Sequence, residues 1–399
     1  MKKFLILLLI LPAQILPQSF DFSEAIPVVE SRKKNVFFHL DSSGRKNIAV
    51  SRKYTAAVWE DNSSGTSQVY AAFKENDKKQ FYKPVQLSTN ESFEPVIAAF
   101  GEDSFLSAWE ENEFVHVCLI QYRKKNKCFF IGEKGSSQPS LGPGEILRSN
   151  LVWTTREKDH SRIYHASVRE YQGKLGFTES FAVEKGTLKG RQAYPAVSEG
   201  KGRIMVVWED QRNGHTAIYS SESSANGIFS TPVIVNEIIK KSQAYGEAQG
   251  TARPVVEYDA SKNQFIAVWL DKREFHTGYE VYGAFHDATN AKWNRNFKIQ
   301  DPFGDGVPQW HSTLTVDLSG KAVSFWDDTR EGNSDIWYSY FSDQNASEDF
   351  THPTFSGKRN QTSPSAAVDS NGNIHLIYLE RDENGFSSIL YVKGSLKKN

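Results

Sequence analysis

The sequence predicts an all-β protein, a seven-bladed β-propeller of four-stranded antiparallel blades in which an N-terminal strand completes the last blade. Three observations predict it. An apolar run ending in an aromatic residue recurs seven times, at Trp59, Trp109, Trp153, Trp208, Trp269, Trp326 and Tyr378. The mean period of about 53 residues falls in the range of propellers and solenoids. The last unit lacks a fourth strand, and the N-terminus carries an orphan that reads as one: DFSEAIPVVE, to be compared with IFSTPVIVNE of the fourth unit.

The N-terminus comes first. Lys2 and Lys3 precede the apolar run from Phe4 to Leu11, which exits through Pro12, Ala13 and Gln14. A charged start, a short apolar centre and a polar exit describe a secretory signal peptide. The expectation is a signal peptide over 1–19 and a single propeller domain over 20–399, exported to the periplasm or secreted. The run is too short to cross about 30 Å of hydrocarbon as a helix, and no later segment is apolar enough, so no membrane span is expected.

Each unit then repeats one grammar. A segment with Pro opens it (EPVIAAF, YPAVSEG, RPVVEYD, SPSAAVD). A Gly or Asn turn leads to the run that ends in the aromatic, and an acidic turn leads to a second apolar run (QVYAAF, RIYHAS, AIYSSE, EVYGAF). The last segment opens on an aromatic (FYKPVQLS, IFSTPVIVN, WNRNFKIQ, FTHPTFSG). These runs are short, β-branched and aromatic, which suits strands. Four strands per unit, closed around an axis, make a propeller. A first segment that completes the last blade leaves no open edge at the seam, and a monomer is expected.

Composition agrees. Aromatics are 13%, apolar residues 39%, and the net charge is −1. That balance gives no electrostatic reason to expect nucleic acid or an anionic membrane as partner. The two cysteines, Cys118 and Cys128, flank a basic turn on the arms of a hairpin. A cross-strand disulfide formed after export and two buried free thiols both fit that placement.

The acidic turns carry Asp61, Asp210, Asp271 and Asp328 two residues after their Trp, and Arg212, Arg273 and Arg330 four after. A device repeated in so many blades reads as fold maintenance: Asp accepts backbone N–H bonds, and Arg pairs with the same carboxylate. These turns share a face with the connections between blades, the face that carries variable loops. Its longest loops, Asn236 to Pro254 and Gln300 to Ser312, bring Tyr245, Glu247, Arg253, Asp301, Asp305, Trp310 and His311 to adjacent sectors. Acids for proton transfer, Arg for an anion and aromatic faces for a sugar ring are what a glycan site needs. His311 and His352 lack metal-ligand spacing, so neither metal nor cofactor is expected. The DPFGD and DSNGN turns are open to a Ca²⁺ reading, with a plain hairpin turn favoured for the second.

Repeats of the form P-x-V … VVWED-x-R-x-G … IY resemble the sialidase-like, BNR-type propellers of exported bacterial proteins. The likeness covers nearly the whole mature chain. It departs at the Asp boxes: SSANGIF, GKLGF and HDATNAKW keep a Gly or an aromatic without the full box. In active members the resemblance implies an Arg triad for a carboxylate, a Tyr–Glu nucleophile pair and an Asp acid/base. Here Arg191 and Arg253, just ahead of first strands, are the rim arginines. Tyr245 with Glu247 stands for the Tyr–Glu pair, and no F/Y-R-I-P segment is present.

Two function classes follow. The favoured one is an exported recognition module that binds a glycan or a protein on its loop face, with Arg191, Arg253, Trp310 and His311 as contacts. The alternative is an exo-acting, sialidase-like glycoside hydrolase using Glu247 with Asp301 or Asp305, and Tyr245. That mechanism requires two carboxylates roughly 5–10 Å apart across one pocket.

Overall fold

The computed structural model describes residues 20–396 apart from 145–146, 187, 189, 224–226, 239–249, 274–277 and 288–290. The segment read as a signal peptide, Tyr245 and Glu247 therefore lie outside the described residues. Among the described residues the strands form seven antiparallel sheets, each ordered along the chain. The innermost strands are Ile48–Val50, Ser92–Ala99, Ser136–Pro143, Gln192–Gly200, Thr251–Asp259, Trp310–Val316 and Asn360–Val368. Each packs on the next, and the last packs on the first, which closes the ring. No helix among the described residues is long and apolar enough to cross a membrane.

The seam closes as the terminal motifs predict. Phe20–Phe22 pairs antiparallel with Gly394 to Leu396, and Ile26–Glu30 pairs with Ser388 to Tyr391 of the same C-terminal strand. Phe22 then packs edge-on against Phe325, Tyr338 and Phe355. Blade six departs from the four-stranded pattern: its outer segment holds on through isolated bridges, Tyr338 to Phe350 and Phe341 to Ala346. In FTHPTFSG, Pro353 has no N–H for a ladder, and the chain turns between His352 and Phe355 instead.

The seven repeated aromatics are buried wedges, none more than 2% exposed. A staple recurs around them. The Trp208 indole N–H donates to Asp210 Oδ2 at 3.0 Å, and the Arg212 backbone N–H donates to Asp210 Oδ1 at 2.9 Å. The Arg212 guanidinium folds back onto the same carboxylate and over the Tyr219 ring, 4.3 Å from its centre. Trp269, Asp271, Arg273 and Tyr282 repeat this, as do Trp326, Asp328, Arg330 and Trp337. The acid two residues past the Trp thus ties second strand, turn and third strand together, as its repetition predicts.

Blade one holds what the repeat pattern does not announce. Its inner strand is split, and the chain from Leu40 to Asn47 leaves the sheet and enters the central channel. The turn Ser43–Arg45 contacts the inner strands of blades two to seven. Ser42, Ser43 and Arg45 are no more than 2% exposed. Ile97 donates to the Lys46 carbonyl at 2.7 Å, Ser365 Oγ donates to the Arg45 carbonyl at 2.8 Å, and Asn47 Nδ2 donates to the Pro95 carbonyl at 2.9 Å. The Lys46 ammonium pairs with Glu257 of blade five. The segment is a plug.

Cys118 and Cys128 stand directly opposite in the hairpin register, with Cα atoms 4.1 Å apart, and are bridged. Asp369 collects protein donors: the backbone N–H groups of Asn371 and Asn373, each at 2.9 Å, and the Asn373 side chain. The DSNGN turn is a plain hairpin turn.

Candidate site at the channel mouth

Two columns of the repeat meet at the axis. The first is the residue before the Pro that opens blades two to five and seven, and its counterpart His311 in blade six. The inner strands of blades two to seven carry a register shift at this point, between Phe93 and Val96, Ser137 and Ser140, Ala193 and Ala196, Ala252 and Val255, Trp310 and Thr313, and Thr362 and Ser365. Within each bulge one residue has positive φ: Glu94, Gln138, Tyr194, Arg253, His311 or Ser363, with values between 49° and 54°. Arg45 of the plug takes the same conformation at 53°. After Glu94, Gln138, Tyr194, Arg253 and Ser363, a Pro in the next position excludes the helical alternative and has no N–H to waste in the ladder. A bulge bends the strand and re-aims its side chain, so the fold converts a repeated backbone strain into a variable polar ring.

The second column is the acid immediately after the Trp, which grips the next blade's bulge. Glu60 Oε1 accepts from the Glu94 N–H at 2.7 Å, Glu110 Oε1 from the Gln138 N–H at 2.5 Å, and Glu209 Oε1 from the Arg253 N–H at 2.8 Å. Asp327 Oδ1 accepts from the Ser363 N–H at 2.9 Å. In blade three, Thr154 stands in this column, and its hydroxyl donates to Gln138 Oε1, which also accepts the Tyr194 N–H. Adjacent residues of the WED motif therefore do different work: the first acid faces the axis, and the second holds the staple.

The mouth is electrostatically dense. Asp41, on the plug, lies 3.2 Å from Arg45 Nη1 and 3.2 Å from Arg253 Nη2. Burial pushes the Asp41 carboxyl up, but Arg45 and Arg253 together hold it below its usual value. Arg253 also lies over the Tyr194 ring, its guanidinium carbon 3.8 Å from the ring centre. Burial, with Glu110 beside it, pushes Glu94 up to about 8, and burial pushes Glu60 and Glu110 up to about 7. His311 Nδ1 is 2.7 Å from Asp327 Oδ1, and among the described residues its Nε2 has no hydrogen-bond partner. Arg45 Nε and Arg253 Nη1 are buried donors without a protein partner among the described residues.

The residues singled out from sequence separate here. Arg253 and His311 belong to the mouth. Arg191 lines a cavity of about 780 Å³ that opens beside it, between blades two and three. Trp310 is 43% exposed and meets Tyr279 edge-on, ring centres 5.5 Å apart. The expected sharing of one pocket by Asp301 or Asp305 with Arg253 does not match the contacts of those acids. Asp301 opens a 3₁₀ turn, accepting from Phe303 N–H at 2.9 Å, and exchanges backbone bonds with Asp349. Asp305 lies 2.5 Å from Lys298. Both acids anchor a loop of blades five and six.

No family model matches the chain, and no curated protein is similar to it in sequence. Solved structures share the fold at low identity. An ulvan lyase of the PL25 polysaccharide lyases, bound to -[GlcA(1-4)Rha3S]-, aligns with TM-score 0.62 and 9% identity over 91% of this chain and 94% of its own. A Dyadobacter fermentans protein of unknown function aligns with TM-score 0.58 and 12% identity over 95% and 99%. The polysaccharide lyase Uly1 aligns with TM-score 0.57 and 7% identity over 88% and 90%. At these identities the likeness is one of fold, shared with polysaccharide lyases among others.

Proposed function

We propose that this chain is a carbohydrate-active propeller that seats an anionic, uronate-bearing polysaccharide at the mouth of its plugged channel and cleaves it there. One observation carries the reading. Among the described residues, Arg45 and Arg253 share a single ionised carboxylate, Asp41, and each keeps a buried donor without a protein partner. Two guanidinium groups against Asp41 leave one cationic charge over, and the partly exposed Arg253 offers it to an incoming carboxylate. Glu94, pushed up to about 8, is mostly protonated near pH 7, whereas Glu60 and Glu110, at about 7, are about half ionised there. The two polysaccharide lyases of the same fold support a polysaccharide as substrate.

The chemistry follows from these groups. A uronate carboxylate on Arg253 renders the sugar's C5–H more acidic. His311, oriented by Asp327, takes that proton on Nε2. The C5–H electron pair becomes the C4=C5 double bond as the C4–O bond breaks. The leaving oxygen receives its proton from Glu94, and no water or oxidant enters. Hydrolysis would need an ionised carboxylate free to act as base or nucleophile, whereas Asp41 is bound by two arginines. The expectation of export extends this proposal: the enzyme meets its polymer outside the cytoplasm, where the Cys118–Cys128 bridge persists.

A binding disc is the second reading, favoured by the structural duty of Glu60, Glu110, Glu209 and Asp327 at the bulges. The test is incubation of the protein with pectate, alginate, glucuronan and ulvan, followed by ultraviolet absorbance of unsaturated ends and by a reducing-end assay. Elimination predicts both signals, with kcat lowered about a hundredfold in Glu94→Gln and in His311→Ala. Reducing ends without unsaturation would make it a hydrolase, and binding without cleavage a disc. No binding of any anionic polysaccharide would overturn the proposal.

A further inference from the structure

We infer that the cavity beside the mouth is a second sugar subsite, in which Arg191 receives the anionic group of the neighbouring residue of the chain and Phe93 stacks on its ring. This rests on the reading above and deepens it, because it makes the substrate an oligomer with charge on successive sugars. The cavity holds about 780 Å³, within the usual range for ligand pockets of roughly 300–1,000 Å³. It is continuous with the mouth. Glu110 and Gln138 line it, and the same Gln138 Oε1 accepts the Tyr194 N–H at 2.9 Å. Glu209, which holds the Arg253 backbone, also feels the charge of Arg191.

Arg191 is built to receive a ligand. Its backbone is anchored by a bridge to Ser161 and by the Gln211 N–H, which donates to its carbonyl at 3.0 Å. Its side chain is exposed, and among the described residues no carboxylate lies within ion-pairing distance of it. Several other charges in the cavity have partners: Glu157 pairs with Arg162 at 2.8 Å and lies 2.5 Å from His160, and Arg156 lies 3.7 Å from Glu113, while Glu91, Lys158 and Asp159 also line it. Phe93 precedes the bulge residue Glu94 and is 40% exposed in the same cavity. An exposed aromatic face and an exposed guanidinium lining one cavity fit a uronate: the ring plane meets Phe93 and the carboxylate meets Arg191.

The experiment is calorimetric titration with uronate oligosaccharides of two and of four residues, prepared from the polymer bound most tightly in the screen above. For the unmutated protein, the longer ligand is expected to bind about tenfold more tightly. In Arg191→Ala and in Phe93→Ala that gain disappears while affinity for the shorter ligand stays unchanged, and Arg191→Lys restores part of it. Thermal unfolding of each variant, expected within a degree or two of the unmutated chain, separates loss of the subsite from loss of the fold. If both lengths bind and neither variant reduces the gain, the subsite is overturned and the mouth stands. If the unmutated, folded protein binds neither length, the mouth and the subsite fall together.

Discussion

The Arg253 guanidinium carbon lies over the Tyr194 ring, 3.8 Å from its centre, across the boundary between blades four and five. Both residues sit at the bulge of their inner strand, and both have positive φ. The stack fixes a planar donor fork at the axis, ready for a carboxylate. Lysine has neither the plane nor the fork. Arg253→Ala is expected to weaken polyuronate binding by about ten- to a hundredfold, the range of a lost charge-assisted pair, and Arg253→Lys is expected to recover little of it. Titration calorimetry at two salt concentrations checks this, with a shallower salt dependence in both variants.

Stability is expected to fall as pH rises toward about 8. Glu94 has a folded pKa of about 8 against an ordinary value of 4.5, so the folded state holds the proton more tightly than the unfolded chain. Its contribution is complete below the ordinary value and is lost as pH rises through about 8. Glu60 and Glu110, at about 7, act in the same direction. Asp41 acts in the opposite direction, on the acid side of its ordinary 3.8. Between about pH 5 and pH 8, Glu94→Gln is expected to lose about 2 kcal/mol less stability than the unmutated protein, after discounting for partial exposure. Urea unfolding across that window measures it.

The plug depends on Gly44. Its φ is +71°, and a Cβ there would lie 2.7 Å from Ser140 Oγ and 3.3 Å from Ala196 Cβ. Gly44→Ala is expected to destabilise by about 1–3 kcal/mol, from backbone strain and overpacking together. It is also expected to weaken polyuronate binding, because Asp41 and Arg45 ride on the same segment. A melting temperature and a titration on one preparation test both halves.

The staple predicts structural effects without loss of chemistry. Asp210→Ala leaves the Trp208 indole N–H buried without a partner and frees Arg212 from its carboxylate. The expected loss is about 2–4 kcal/mol, read from denaturant unfolding, with KM unchanged where protein remains folded. Removal of the bridge by Cys118→Ala with Cys128→Ser is expected to cost about 2–3 kcal/mol for so short a loop, again with KM unchanged.

Much of this architecture was legible in the sequence because propellers repeat. The seven aromatics, the acid–arginine turns and the closing strand each recur in a column or complete one. The plug was not legible, because Leu40 to Asn47 belongs to a single blade and no second copy exposes it as an insertion. Arg253 and His311 were found as rim residues, but the reason they matter lies in a column that sequence reasoning passed over. The residue before each opening Pro varies in chemistry (Glu94, Gln138, Tyr194, Arg253, Ser363) while the Pro is repeated. A fixed backbone signal beside a variable polar side chain is the trace that such a ring leaves. Loop length does not reveal the partners of Asp301 and Asp305: Asp301 accepts backbone N–H bonds from Phe303 and Asp349, and Asp305 pairs with Lys298.

The measurement that bears most directly on the central claim is a two-by-two titration: unmutated protein and Arg253→Ala, each against a uronate tetrasaccharide and its carboxyl-reduced form. If the substrate carboxylate sits on Arg253, either change alone weakens binding about tenfold or more, and the two together cost little beyond one. If the losses simply add, or if carboxyl reduction leaves affinity unchanged, the mouth does not hold the carboxylate and the account fails.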